Sequence, residues 1–253
     1  MQTFPWHVIR DSGFYVLDLL FPKRCLGCRK WGRYICPMCE KTIKPLRYLK
    51  CPVCEKPAIE GMTHPGCQTK YSLDGLTSFF RYDGVIKEAI KHIKYRYTFD
   101  ITRELINSIP LSSFSIFSKL LNIYTSKYFS CSFVPIPLHP SRYRHRGFNQ
   151  AEVIAHSFGK RLEIPVDTNI LIRTKKTIPQ VEMKDREKRL ANMKDVFALG
   201  NSQLLPAGKH GVTRNSRIFL VDDVFTTGAT LRSAASVLKH AGAKFVWGVT
   251  IAQ

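Results

Sequence analysis

The chain has 253 residues, 44% of them hydrophobic, enough for one large domain or a medium domain with a small module. Lysine and arginine outnumber aspartate and glutamate by 39 to 19, a formal charge of +20, which points to a polyanionic partner. No apolar stretch reaches the roughly 20 residues that span a bilayer, so no transmembrane helix is expected, and no basic amphipathic helix stands out to meet an anionic membrane surface.

The first twenty residues carry Phe14, Val16, Leu17, Leu19 and Leu20, interrupted by Asp11 and Asp18. A basic start and an unbroken apolar run are missing, which speaks against a signal peptide and for a short amphipathic helix. Seven of the eight cysteines then fall between Cys25 and Cys67, in knuckles of two-residue spacing: Cys25 with Cys28, Cys36 with Cys39, Cys51 with Cys54. A variant knuckle, His64 with Cys67, follows. Each tight turn presents two ligands, and a tetrahedral zinc ion needs four thiolates or imidazoles. The simplest pairing gives one zinc to Cys25, Cys28, Cys36 and Cys39 and another to Cys51, Cys54, His64 and Cys67. An interleaved pairing, with the first and third knuckles sharing an ion, satisfies the same spacing. A disulfide framework fits poorly without a secretory signal. The second and third knuckles repeat Cys-Pro-x-Cys-Glu-Lys. With few core residues in this segment, the metal is expected to be structural. Trp31, Tyr34 and Tyr48 interleave with nine basic residues from Lys23 to Lys50. That mixture suits stacking on bases and neutralising phosphates, or else the aromatics form the module's own core.

A strand is expected near Ser78–Arg81, then helices over Gly84–Lys94 and Asp100–Ile109, the first with Lys87, Lys91 and Lys94 on its polar face, and an apolar helical stretch over Leu111–Tyr128. The segment from Phe133 reads as a strand passing into a proline-rich loop. Arg142, Arg144 and Arg146 follow at alternate positions before Gly147, Asn149 and Gln150, ahead of a helix over Ala151–Leu162. That reads as an anion site, against the plainer reading of an exposed basic loop. A strand is expected at Val196–Leu199, and Gly200–Ser216 reads as a surface loop. Cys131, alone, is expected to be a small buried residue.

Near the C-terminus the apolar run Ile218-Phe219-Leu220 passes into Val221-Asp222-Asp223-Val224-Phe225-Thr226-Thr227-Gly228-Ala229-Thr230 and then a helical pattern through Leu231, Ala234, Ala235 and Leu238. A last buried strand is expected over Lys244–Ile251. Paired carboxylates can accept hydrogen bonds from vicinal ribose hydroxyls, and a Thr/Gly loop at a helix N-terminus can cradle a phosphate. An N-capped helix behind two surface acids would need no such run. The run resembles the phosphoribosyl-pyrophosphate (PRPP) loop of type I phosphoribosyltransferases. The resemblance places PRPP or ribose 5-phosphate on Asp222, Asp223, Phe225, Thr226, Thr227, Gly228, Ala229 and Thr230.

Further short pieces stand in a specific order: Leu20-Phe21-Pro22, Phe80-Arg81-Tyr82-Asp83-Gly84, Lys94-Tyr95-Arg96, Val134-Pro135-Ile136-Pro137-Leu138-His139-Pro140, Arg146-Gly147-Phe148-Asn149-Gln150, Pro179-Gln180, and Arg189 with Asn192. With the knuckles and the C-terminal run they resemble the ComF family, competence-associated proteins with a double zinc ribbon and a phosphoribosyltransferase-like domain. The resemblance covers nearly the whole chain. It implies an α/β fold with a type I phosphoribosyltransferase-like parallel sheet flanked by helices, behind a small N-terminal zinc-ribbon module. The divisions are a helical extension at 1–22, the ribbons at 23–72 and the larger domain at 73–253. It implies structural zinc and magnesium carried with PRPP, and no catalytic residue is assigned. Arg142, Arg144, Arg146 and Lys94 would meet pyrophosphate or a nucleic-acid phosphate. The implied setting is cytoplasmic, near the inner membrane face, with single-stranded DNA and competence helicase or uptake proteins as partners. His64 departs from a usual cysteine, Glu40 and Glu55 follow knuckles where glycine is common, and Leu111–Tyr128 and Gly200–Ser216 read as insertions.

Two functions follow from this. One is a competence protein that binds a phosphorylated sugar and handles single-stranded DNA. The other is a working phosphoribosyltransferase with an unidentified acceptor. A binding protein that reads PRPP levels without DNA is a plainer third.

Overall fold

The computed structural model describes residues 22–94, 98–124, 131–175, 193, 195–200 and 216–253. The N-terminal segment, Tyr95 and Arg96, the end of the Leu111–Tyr128 stretch, Pro179-Gln180, Arg189 with Asn192, and most of Gly200–Ser216 lie outside the described residues.

The chain runs through a short helix α1 (Pro37–Glu40), a small antiparallel pair β1 (Leu49–Lys50) and β2 (Pro57–Ala58), and strand β3 (Gly75–Phe80). Helices α2 (Gly84–Ile93), α3 (Thr98–Asn107) and α4 (Leu111–Tyr124) follow, then β4 (Cys131–Pro135), α5 (Pro140–Arg146) and α6 (Gln150–Leu162). An antiparallel pair β5 (Leu171–Arg173) and β6 (Phe197–Leu199) precedes β7 (Arg217–Val224), α7 (Ala229–His240) and β8 (Phe245–Ala252).

The central sheet is parallel, in the order β3-β8-β7-β4. Its inner strands are buried on both faces, as expected of an α/β sheet whose strands read as continuous apolar runs. Alternation sorts β7 between two cores. Phe219 and Val221 join α2, α3, α4 and α6 on one face, while Ile218 and Leu220 join α7 and the β5–β6 pair on the other. The first face is aromatic. Phe79, Phe117, Phe158, Phe133, Phe219, Phe245 and Trp247 form a chain of ring contacts with centroids 5.5–6.3 Å apart. Buried polar groups on the strands are paired: the Trp247 indole donates to Thr77 Oγ1 at 2.9 Å, and Ser78 and Thr250 share a bond of 2.7 Å.

The edge strand β3 is not left bare. Pro45 bridges to Phe80, Met62 bridges to Gly75, and the Leu46 amide donates to the Phe79 carbonyl at 3.2 Å. The cysteine-rich segment therefore covers a sheet edge that would otherwise offer unpaired backbone.

Two elements differ from the sequence expectation. The strand expected at Ser78–Arg81 begins earlier, at Gly75. The arginine stretch, read as an anion site or an exposed basic loop after the proline-rich segment, is itself a helix, α5. Pro140 stands in its first turn, the His139 side chain accepts from the Ser141 amide at 3.2 Å, and Gly147 ends it at φ 80°.

Candidate functional site

Both four-ligand sets of the simplest pairing are assembled. The ligand atoms of Cys25, Cys28, Cys36 and Cys39 lie within 4.8 Å of one another, as do those of Cys51, Cys54, His64 and Cys67. That spacing suits a tetrahedral ion with ligands at about 2.0–2.3 Å, and the interleaved pairing is excluded. His64 Nδ1 lies 3.3 Å from Cys54 Sγ, while Nε2 donates to the Pro57 carbonyl at 3.0 Å. The carbonyl can only accept, so it holds the proton on Nε2 and leaves Nδ1 as the ligand.

The two sets repeat one turn. In each, the first cysteine's amide bonds to the carbonyl five residues on, at 2.8 Å for Cys25 and 2.9 Å for Cys51. The residue after the knuckle is left-handed, Arg29 at φ 66° and Glu55 at φ 62°. Glu55 thus keeps the turn that glycine would make, whereas Glu40 ends α1. The structural repeat relates the first and third knuckles, not the second and third that share sequence.

Burial opposes ionisation of Cys25, but the amides of Cys36, Cys28 and Gly27 outweigh it and bring the thiol down to about 6. Cys51 falls to about 7 against burial through the amides of Cys54, His64 and Val53. Burial and the neighbouring sulfurs push Cys39 up to about 12 and Cys67 to about 11. Each cluster thus carries thiolate-favouring amides and a sulfur that ionises only beside a cation, which fits a bound metal.

The second site lies at the C-terminal end of β7. Asp222 and Asp223 occupy successive strand positions, so they leave the sheet on opposite faces. Asp223 is 6% exposed, and its Oδ2 lies 3.0 Å from Nζ of Lys94, which follows α2. That carboxylate raises the Lys94 pKa although burial opposes it. Lys94 therefore pairs with an acid within the protein. Asp222 accepts from the Asp223 amide at 2.9 Å. Burial, then the neighbouring Asp223, pushes its carboxyl up to about 8.

Beyond the acids, the Phe225 amide donates to the Ala252 carbonyl at 2.9 Å, anchoring the loop to β8. Phe225 and Ala229 are buried, Thr226 is exposed and Thr230 half-buried. Gly228 is left-handed, φ 70°, and is the N-cap of α7, a residue with no side chain to cap the helix. Such a helix end presents amide donors to an anion. Thr227 is 8% exposed, and its hydroxyl has no hydrogen-bond partner among the described residues.

The three arginines do not act as one row. On a helix, alternate positions diverge, while positions four apart share a face. Arg144 is exposed, Arg142 and Arg146 are half-buried, and Arg146 donates to Gln150 Oε1 at 3.0 Å. Arg142 lies near Arg173, on β5, a residue the sequence reading passed over. Burial, then the Arg142 charge, lowers the Arg173 pKa to about 10, and Asp222 acts in the opposite direction. Asp223 is thus paired with Lys94, and Asp222 feels the charge of Arg173. Arg173 ends an ordinary strand, and the β5–β6 pairing carries it within electrostatic reach of Asp222. A lone arginine ending a short apolar run is the signal that was there to find.

In the cysteine module, Tyr34 is buried in the core while Trp31 is 58% and Tyr48 54% exposed. The Arg24 guanidinium lies 3.8 Å from the Trp31 ring centroid. Cys131 is only half-buried by its surface, and burial of its thiol pushes it up to about 12.

A family profile described as a double zinc ribbon domain matches residues 16–68. Competence protein ComFC of Streptococcus pneumoniae is 29% identical over 213 residues, 84% of each chain. Competence protein F of Haemophilus influenzae is 29% identical over 243 residues, covering 90% of this chain and 97% of its own. Over most of its length the chain is thus similar to ComF-type competence proteins. A further relative is the DNA utilization protein YhgH of Escherichia coli K12, 27% identical over 238 residues, 90% of this chain and 96% of its own. The two zinc ribbons are thus structural metal sites by both profile and geometry. Among the described residues no helix is long and apolar enough to cross a membrane.

Proposed function

We propose that this protein is a ComF-type protein that binds PRPP or ribose 5-phosphate at the β7–α7 loop and uses that site while handling single-stranded DNA in competence. The observation that carries the reading is the buried Thr227 hydroxyl, without a partner among the described residues, beside a helix end whose N-cap residue is the side-chain-free Gly228. A phosphate supplies the acceptor that the hydroxyl lacks, and the helix end supplies further donors. Asp222 and Asp223, five and four positions before Thr227, would accept from the ribose hydroxyls. Magnesium would be held chiefly by the oxygens of PRPP itself, with water. Zinc at the two clusters holds the ribbons together.

Relatives named for competence and DNA utilization support the DNA half of the reading. So do the +20 charge and the exposed Trp31 and Tyr48. The site is tested by calorimetry with PRPP and magnesium. Wild-type protein binds, and Asp222→Asn with Asp223→Asn weakens binding at least about tenfold, or 1.4 kcal/mol, while zinc content stays at wild-type level. Unchanged affinity in that double variant contradicts the assignment.

A second reading, an active phosphoribosyltransferase, draws on the Arg142–Arg173 pair beside Asp222. Positive charge there suits a leaving pyrophosphate, whose release would be driven by positioning and charge stabilisation. Pyrophosphate release from PRPP across a broad acceptor panel supports this reading, and none from any acceptor removes it.

A further inference from the structure

The loop of the proposed sugar-phosphate site is backed by the second metal cluster. Pro52, between Cys51 and Cys54, is buried, and its carbonyl comes so near Gly228 that a β-carbon there would lie 3.2 Å from the oxygen. On another side the Phe225 ring would lie 2.6 Å from the same β-carbon. A metal knuckle, an aromatic ring and a left-handed glycine thus meet at the N-terminus of α7. The knuckle is anchored from behind. The Thr63 amide donates to the Asp74 carbonyl at 2.9 Å and its hydroxyl to Leu73 at 2.6 Å. The Asp74 carboxylate accepts from the Val246 amide and pairs with Lys239, both at 2.7 Å. Lys239 lies in the last turn of α7. The second cluster is therefore pinned to β3, β8 and one end of α7, and presses on the other.

We propose that metal occupancy of Cys51, Cys54, His64 and Cys67 is thermodynamically coupled to sugar-phosphate binding, with the knuckle acting as the wall that holds the Phe225–Gly228 turn in its binding conformation. The proposal rests on the sugar-phosphate reading above. With the metal bound, the Cys51–Cys54 turn is cross-linked and the Pro52 carbonyl is fixed. Without it, Gly228, which is free to adopt many backbone conformations, must be ordered by the ligand at the expense of affinity. Coupling of this kind is reciprocal, so the ligand must also tighten the metal. The first cluster sits elsewhere: a β-carbon at its Gly27 would lie 2.9 Å from Val85 on α2, at the end away from Lys94.

The test uses the full-length zinc-loaded protein and a chromogenic zinc chelator, with and without ribose 5-phosphate. Two release phases are expected, one slowed about tenfold by the ligand and the other unchanged. In calorimetry, His64→Ala is expected to lose ribose 5-phosphate affinity about tenfold and Cys28→Ser to stay within about twofold, each checked for its remaining zinc. If His64→Ala does not fold, release from the wild type decides alone. Ligand that binds the wild type but leaves both phases unchanged, or slows both equally, overturns the coupling and leaves the site reading intact. So does wild-type affinity in folded His64→Ala lacking the second zinc. Wild-type protein that binds neither ribose 5-phosphate nor PRPP overturns both.

Discussion

Thr227 illustrates how a single side chain separates folding from binding. Its hydroxyl is buried and has no partner among the described residues, so replacing it by an apolar isostere removes a desolvated polar group. Thr227→Val is therefore expected to leave stability unchanged or raise it slightly, while PRPP affinity falls about tenfold. A large drop in unfolding midpoint with no change in affinity contradicts the assigned role. Asp222 makes a pH-dependent prediction. Its carboxyl is pushed from 3.8 to about 8. Across that window the folded protein holds a proton that the unfolded chain has lost, so this group makes stability fall as pH rises. Asp222→Asn is expected to melt about 3–8 °C above wild type at pH 8, with the difference closing towards pH 4. A constant difference across that range contradicts the raised pKa. The adjacency of the two acids was legible in the sequence, but their separation onto opposite faces follows from the strand extending to Val224. Arg173 was not legible, because nothing local marks an arginine that a distant strand pairing carries to the site.

At the scale of elements, the apolar periodicity identified α2, α6, α7 and the inner strands, since each buries a regular face. The α5 helix is hard to see in a short, basic stretch with no apolar face, although Pro140 and Gly147 are the start and stop signals of a helix. β3 begins at Gly75, where a β-carbon would run into the Trp247 indole. The strand can pass that ring only because no side chain stands there. Gly75→Ala is expected to destabilise the protein by about 2–4 kcal/mol through overpacking and loss of the Trp247–Thr77 bond, measured by denaturant unfolding. A change below about 0.5 kcal/mol would show that the indole moves aside freely.

For the whole molecule, the knuckle spacing revealed two metal centres, and ligand chemistry limits how four knuckles pair. It did not reveal that the cysteine-rich segment closes the β3 edge, because those contacts join residues far apart in sequence. This union predicts that metal removal is felt beyond the ribbons. Stripping zinc should lower the midpoint of the entire unfolding transition by about 10 °C or more. An unchanged main transition in scanning calorimetry would mean that the ribbons fold apart from the sheet. The excess of basic residues predicts single-stranded DNA binding whose log affinity falls against log salt with a slope of about −3 or steeper. A flat response removes the DNA half of the proposal. The sugar-phosphate half is tested most directly by a crystal structure of the zinc-loaded protein with ribose 5-phosphate. Phosphate density is expected within hydrogen-bond distance of the Thr227 hydroxyl and the first-turn amides of α7, with the ribose against Asp222 and Asp223. Phosphate bound only at Arg142, Arg144 or Arg146, with the β7–α7 loop empty, would contradict it.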